Sequence, residues 1–348
     1  MTLNGLIRSP CQWLRPDGPE SEIVLSTRVR LARNVVGRPF LTRLRPEEQA
    51  ELETQLREVI FKAVDGLEWH QLEEMPEIDR RCLVERHLIS RELAAGEGPR
   101  GVAIDPTQRV AIMVCEEDHL RLQVIESGLQ PVEAWEEADK IDNLIEKHLA
   151  YTFSPTLGYL TACPTNVGTG MRASVMLHLP GLVLTRQIEK VFRAAARLRL
   201  TVRGLYGEGT QATGDIYQIS NQATLGRSES EILKSLEAVI PQVIDYEKEA
   251  RRALLADSPI ILDDRIFRAW GVLSCARTIS SEETLTLLSA VRLGVHLGRL
   301  PGVDIATVNE LFLMTRPGHI QKMRGKELDE PERDAARADY IRQRLGAK

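Results

Sequence analysis

Residues Asp257-Ser258-Pro259 divide the chain into two parts with different patterning, and that division constrains its fold more than any other feature. Up to about Leu254 strand and helix signals are mixed, whereas the remainder reads almost entirely as helix. The domains are therefore placed at 1–255 and 256–348. In the first part, Pro46 opens an amphipathic helix with Leu52, Leu56, Val59, Ile60 and Ala63 on one face. Arg109–Cys115 and Leu120–Ile125 are β-rich runs on either side of Glu116-Glu117-Asp118-His119, which predicts a hairpin with an acidic tip. Leu157–Cys163, Met171–Leu179, Leu200–Tyr206 and Asp215–Ser220 are further strand candidates. Short strands with tight connections favour an antiparallel sheet over a βαβ series. The expected class is α+β: an antiparallel β-sheet flanked by helices, followed by a C-terminal helical domain. Ser228-x-x-Glu231 and Ser280-x-x-Glu283 are capping boxes that start two of the later helices.

Composition narrows the chemistry. A net charge of −5 gives no general attraction to nucleic acid or to anionic lipid. The five cysteines (Cys11, Cys82, Cys115, Cys163 and Cys275) lack metal-ligand spacing, so neither structural zinc nor a disulfide framework is expected, which suits the reducing cytosol. No apolar run of membrane-spanning length and no secretory signal are present, so a cytoplasmic protein is expected. Only nine of the 45 Lys+Arg residues are lysine. A GC-rich genome would also give that excess of arginine, so position must decide its meaning.

The common nucleotide devices are absent: there is no G-x-x-x-x-G-K-[ST] loop, no His-Arg-Asp or Asp-Phe-Gly signature, and no dinucleotide fingerprint. Clustered arginines are the remaining way to hold phosphates, because the guanidinium fork matches phosphate oxygens bidentately. Four segments supply them. In Ser26-Thr27-Arg28-Val29-Arg30, strand alternation puts Ser26, Arg28 and Arg30 on one face. Arg121 follows the acidic hairpin tip. Arg172 follows the glycine-rich Cys163-Pro164-Thr165-Asn166-Val167-Gly168-Thr169-Gly170, and Arg203 leads into Gly204-Leu205-Tyr206-Gly207-Glu208-Gly209. Singly, each also reads as an ordinary feature: a solvated strand face, a local ion pair, a glycine turn.

Together, in this order, the segments resemble the ATP:guanido phosphotransferase family, which includes arginine and creatine kinases. The closer resemblance, extending to the C-terminus, is to the bacterial branch of the family that phosphorylates arginine in proteins. The resemblance implies a guanido kinase catalytic fold in which Arg28, Arg30, Arg121, Arg172 and Arg203 grip the phosphates of ATP. Ser26, Thr27, Val29, Ala173, Ser174, Val175 and Met176 would line the same site with Gly204, Leu205, Tyr206 and Gly207, and His87 would lie against the nucleotide. It makes Glu208 the catalytic carboxylate and Glu117 its partner on the substrate. Cys163 matches the family's active-site thiol, although a cysteine at a strand end also reads as a buried structural thiol. Mg²⁺ is implied as a cofactor held mainly by the nucleotide phosphates, with no metal site made by the protein itself.

The chain also departs from the small-metabolite members. Arg28 arrives too early for the N-terminal helical domain that precedes the first arginine motif in those enzymes. Glu208 is followed by Gly209-Thr210-Gln211 where the family usually has His-Thr-Glu, and Cys115 replaces a usual asparagine. These departures imply an open site able to take arginine on a polypeptide. In Arg333-Asp334-Ala335-Ala336-Arg337-Ala338 two arginines share one helical face. That is also the pattern of a solvated charged face. The resemblance makes Arg333, Asp334, Arg337 and Ala338 a regulatory phosphoarginine pocket. It further implies a homodimer formed through the C-terminal helices, a zinc-binding activator protein, and transfer of marked proteins to a Clp unfoldase–protease during stress. Two other readings are a small-metabolite phosphagen kinase and a catalytically inactive phosphoarginine-binding adaptor.

Overall fold

The computed structural model describes residues 3–204 and 212–346. Its centre is an eight-stranded sheet whose strands are β1 (Val24–Arg33), β2 (Glu68–Gln71), β3 (Gly101–Ile104), β4 (Val110–Val114), β5 (Leu120–Ser127), β6 (Met171–His178), β7 (Leu200–Gly204) and β8 (Ile216–Asn221). Their spatial order is β2-β3-β4-β5-β1-β6-β8-β7, and every pairing is antiparallel. The expected antiparallel α+β architecture is present. β4 and β5 form the hairpin around Glu116–His119.

Side chains alternate across a sheet, so register assigns each residue to a face. On one face Val29, Leu31, Ile112, Val124, Ala173, Val175 and Ile219 are fully buried. They pack against helices α1 (Pro46–Ala63), α3 (Pro131–Glu146) and α4 (Glu229–Asp257) through residues such as Leu56, Ala138 and Leu236. The Ser228 hydroxyl caps α4, accepting from the Glu231 N–H at 3.3 Å while Glu231 accepts from the Ser228 N–H at 2.8 Å.

The opposite face is covered in two places. Beside β3 and β4, Leu72, Leu88 and Leu83 of helix α2 (Glu77–Glu85) pack on Val102, Ile104 and Met113. Near the ends of β1, β6 and β8, Leu25, Met176 and Ile216 join the core of the C-terminal helices α5 (Pro259–Cys275), α6 (Ser281–His296), α7 (Ile305–Met314) and α9 (Glu330–Arg344). Between α7 and α9 lies α8 (Pro317–Arg324), packed on α2. The chain breaks from α4 to α5 at Ser258, and the helices beyond it are locked to the sheet by the fully buried Arg292. Arg292 donates to Asn309, to the carbonyls of Ser21 and Glu22, and meets His178 at 2.8 Å. Between these two coverings the sheet face is left open.

One strand expectation is corrected. Of Leu157–Cys163 only Gly158–Tyr159 is strand, paired with Phe153–Ser154 in a small separate ribbon. Gly158 has φ 80° and packs so closely on Gly168 that a Cβ would lie 2.5 Å from the Gly168 carbonyl oxygen. Beyond it the backbone is drawn off by side chains, with Asn34 donating to the Leu160 carbonyl and Asp118 accepting from the Ala162 N–H.

Ser228→Ala should lower stability by about 1 kcal/mol by removing the cap of α4. Urea unfolding monitored by circular dichroism checks this, with nucleotide affinity expected to stay unchanged.

Candidate active site

The open part of the sheet carries the arginines. Arg30 on β1 lies opposite Arg172 on β6 and Gln123 on β5, and Arg28 lies opposite Ser174. Arg121 is two residues from Gln123 and therefore shares its face. Met176 on β6 opposes Gln218 on β8, which in turn opposes Arg203 on β7. Five arginines from four strands thus point to one side of one sheet. Together with Glu116, Glu117, Gly204 and Gln218 they line a cavity of about 610 Å³.

This cage is poorly neutralised. Among the described residues only Arg121 forms an ion pair, with Glu116 at 2.5 Å. Arg28 donates to the neutral Gln218 at 3.2 Å and Arg172 to the Ser220 hydroxyl at 3.1 Å. The Nε atoms of Arg30 and Arg172 are buried without a partner. Burial, together with repulsion from Arg121 and Arg172, pushes Arg28 down to about 10. Burial and the same kind of repulsion, led by Arg28, hold Arg30 well below its ordinary range. For Arg121 burial acts in the same direction, but Glu116, Glu117 and Asp118 outweigh it and raise its pKa.

A narrow slot continues from the cage, sharing Arg28 and Gln218 and lined by Trp13, Ser26, His87, Ile125, Ser174 and Met176. The His87 and Trp13 rings meet edge to face at 5.5 Å. Gln123 holds the His87 carbonyl at 2.6 Å, and His87 has a left-handed backbone with φ 60°. Burial first, then Arg28, Arg316 and Arg30, push the His87 imidazole down to about 3, so it is neutral near pH 7. His87 Nε2 and Trp13 Nε1 are buried without partners. The slot thus carries two unpartnered ring nitrogens and meets the cage at Arg28 and Gln218.

The acidic tip is held from behind. Asp118 accepts from Asn34 at 2.6 Å and from the Ala162 N–H at 2.7 Å. His119 Nδ1 accepts from the Val35 N–H at 3.0 Å, and Nε2 meets the Pro39 carbonyl at 2.8 Å. With Asp118 and His119 anchored, Glu117 faces the cage. Its carboxyl is raised by burial and then by Asp118 and Glu116. Cys163 does not line the cage. It is half-exposed rather than buried, 3.0 Å from the Thr165 hydroxyl on a short turn. Thr165 and Asn166 of that turn line a cavity of about 230 Å³ that shares Arg172 and Arg203 with the cage.

Part of the expected lining is corrected. Thr27, Val29, Ala173 and Val175 belong to the opposite face of the sheet by alternation. Val29, Ala173 and Val175 are in the helix-facing core, and Thr27 donates to the Gly128 carbonyl at 2.7 Å. Leu205, Tyr206, Gly207 and Glu208 lie outside the described residues. Trp13 and Gln218, which do line the site, escaped sequence reading. Trp13 is remote in sequence, and Gln218 is placed only by its pairing with Arg203.

Arg333, Asp334, Arg337 and Ala338 lie on α9, away from the cage. The buried Arg337 donates to the carbonyls of Thr315 (2.8 Å) and Ile279 (2.7 Å) and pairs with Asp334 at 2.5 Å. Arg333 donates to the Leu328 carbonyl at 2.8 Å, and Ala338 packs in the helical core.

Residues 50–250 match the family profile described as ATP:guanido phosphotransferase, C-terminal catalytic domain. The chain belongs to the ATP:guanido phosphotransferase family. Residues 259–348 match the profile described as Protein-arginine kinase McsB C-terminal domain. Among the family's curated members, the protein-arginine kinase of Symbiobacterium thermophilum is 48% identical over 345 residues, covering 98% of both chains. That of Halothermothrix orenii is 47% identical over 348 residues, covering 99% of both. Among solved structures, lombricine kinase matches with a TM-score of 0.59 at 26% identity, over 71% of this chain and 72% of that one. The duplicated taurocyamine kinase of Schistosoma mansoni matches with a TM-score of 0.61 at 28% identity. There 71% of this chain is covered, and it spans only about a third (36%) of that longer chain.

Replacing Arg30 by methionine should leave the nucleotide-free protein as stable or about 1 kcal/mol more stable, since a half-buried unpaired charge is removed. It should weaken ATP binding by about 2 kcal/mol, roughly 30-fold. Thermal unfolding with and without Mg-ATP measures both effects.

Proposed function

We propose that the chain is a protein-arginine kinase, transferring the γ-phosphate of ATP to the guanidinium of arginine residues in proteins. The observation that carries this reading is the convergence on one cavity of Glu117 and five arginines, four of them without a carboxylate partner among the described residues, beside a slot that we assign to the base of ATP. Phosphoryl transfer needs charge neutralisation and in-line positioning above all, and the cage supplies neutralisation along a triphosphate. Mg²⁺ accompanies ATP on its phosphate oxygens, adding charge neutralisation where the transferred group sits.

The acceptor is the harder partner, because a guanidinium carries a proton on every nitrogen and offers no free lone pair. A carboxylate must hold it edge-on and take a proton as the nitrogen attacks. Glu117 is assigned the holding role and Glu208, whose segment begins just after Gly204 at the cavity wall, the role of base. The new N–P bond forms as the bond between γ-phosphorus and the bridging oxygen breaks. ADP leaves with that electron pair, and the displaced guanidinium proton passes to Glu208 and then to water. Cys163 is assigned to the acceptor side, next to the Ala162 N–H that Asp118 holds.

Full-length relatives named protein-arginine kinase favour a protein substrate over a small guanidino metabolite, and the solved metabolite kinases match 71% to 77% of the chain. Retention of the whole cage speaks against an inactive adaptor. We extend the proposal to regulation: phosphoarginine would replace the Asp334–Arg337 contact, with its guanidinium on Asp334 and its phosphate on Arg337 or Arg333. A homodimer through the C-terminal helices, a zinc-binding activator and hand-off of marked proteins to a Clp unfoldase–protease in the cytoplasm complete the reading. No helix among the described residues is long and apolar enough to cross a membrane.

Incubation with Mg-ATP and an unfolded protein should give acid-labile phosphate on arginine, located by mass spectrometry under non-acidic conditions. Labelling confined to free arginine would contradict the protein-directed reading. Glu208→Gln should keep ATP affinity while lowering kcat on the order of 100-fold or more. Glu117 must be ionised to receive the cationic acceptor and its pKa is raised, so activity should climb with pH through a limb lying above the usual carboxylate range. In Glu117→Gln that limb should vanish from the kcat/KM profile.

A further inference from the structure

Four large apolar side chains stand exposed on segments that adjoin the acidic hairpin tip and the turn after Cys163. They are Val36 (54% exposed), Phe153 (58%), Leu157 (46%) and Leu225 (52%). They come from separate segments joined by a continuous set of contacts. Phe153 packs edge to face on Tyr159 at 5.3 Å, across the ribbon whose turn holds Leu157. Tyr159 exchanges backbone hydrogen bonds with Gly168, and Gly168 packs against the backbone of Thr224 and Leu225. The Val36 N–H donates to the Ala150 carbonyl, next to the bridge between Val35 and Tyr151. A glycine at 168 is required here, because a Cβ would lie 2.5 Å from the Thr224 carbonyl oxygen. The segments that carry this apolar patch are therefore held together by backbone contacts.

The patch is also tied to the site. Leu160, one residue past the ribbon, has its carbonyl bound by Asn34, whose same amide nitrogen donates to Asp118. Asp118 also accepts from Ala162, and it neighbours Glu117 in the chain. Arg33, stacked on the Tyr159 ring at 3.7 Å and paired with Asp142 at 2.7 Å, fixes the ribbon from below. The apolar patch and the carboxylate assigned to the acceptor thus share one rigid hydrogen-bonded frame.

We propose that Val36, Phe153, Leu157 and Leu225 form a docking rim for an unfolded polypeptide, contacting apolar side chains that flank the arginine to be phosphorylated. The proposal rests on the protein-arginine kinase reading and adds which arginines it selects. The occupant follows from continuity with the cavity. An arginine reaching the cage leaves its neighbours within ~3.6 Å per residue of chain, so they must cross whatever surface borders the acceptor end. Here that surface is apolar and water-exposed, which is costly unless it is covered in use. A folded protein buries its apolar side chains, whereas an unfolded one presents them beside its arginines.

The test uses the full chain and two single-arginine peptides, one flanked by leucine and phenylalanine, the other by serine and glycine. The wild type should favour the apolar-flanked peptide. Replacing Phe153 and Leu157 together by serine should raise KM for that peptide about tenfold while leaving its kcat and the kinetics of the polar-flanked peptide unchanged. Leu225→Ser, on a different segment, should act in the same direction. Melting temperature and Mg-ATP affinity should match the wild type in all variants. Binding of the labelled apolar-flanked peptide, followed by fluorescence anisotropy without ATP, should weaken by the same factor. Equal loss on both peptides, or unchanged binding of the apolar one, would overturn the docking rim while leaving the kinase reading intact. Phosphorylation of free arginine alone, with neither peptide a substrate, would instead remove the protein-kinase reading, and the rim with it.

Discussion

Guanidiniums that repel one another across a half-buried sheet face set the terms for the rest of this molecule. Arg28, Arg30, Arg121 and Arg172 stand on adjacent strands, and only Arg121 has a carboxylate partner among the described residues. Burying such charges without partners costs stability, and the cost must be met by packing elsewhere. The opposite face of the sheet meets it, since its side chains and three long helices form the largest continuous apolar core. The proposed site therefore lies on the face opposite the largest core, where a bound polyanion would offset the repulsion among the arginines.

Preorganisation follows from the same arrangement. A cage built mainly from central strands loses little conformational freedom when a triphosphate enters, because the strands beneath Arg28, Arg30, Arg121 and Arg172 are already paired on both sides, while Arg203 stands on the edge strand β7. The hairpin tip has the same character. Asp118 and His119 are spent on anchoring, which leaves Glu117 free to present its carboxylate to the cavity. The C-terminal helices, locked to the sheet through Arg292, bound the open face at one end.

Much of this was legible in the sequence. The alternation of Ser26, Arg28 and Arg30, the β4–β5 hairpin, the caps at Ser228 and Ser280 and the change to helix after Asp257 are local signals, and local signals survive folding. Reading motif blocks as continuous linings was the source of error. Thr27, Val29, Ala173 and Val175 are neighbours of site residues in sequence but point the other way, because a strand has a period of two. Trp13 and Gln218 could not be found locally. Their places depend on long-range packing and on strand register, which one sequence does not state. Leu157–Cys163 has strand composition, yet its backbone is claimed by Asn34 and Asp118, so tertiary contacts override propensity there.

The central claim is that the arginine cage recognises the phosphates of a triphosphate, with the base slot adding to it. Calorimetric titration of the nucleotide-free protein with AMP, ADP, ATP and inorganic tripolyphosphate, at two salt concentrations, tests this directly. Affinity should rise steeply with each added phosphate, tripolyphosphate should compete with ATP, and both should weaken in high salt. Equal affinity for AMP and ATP, or no competition by tripolyphosphate, would show that the arginines are not the phosphate site.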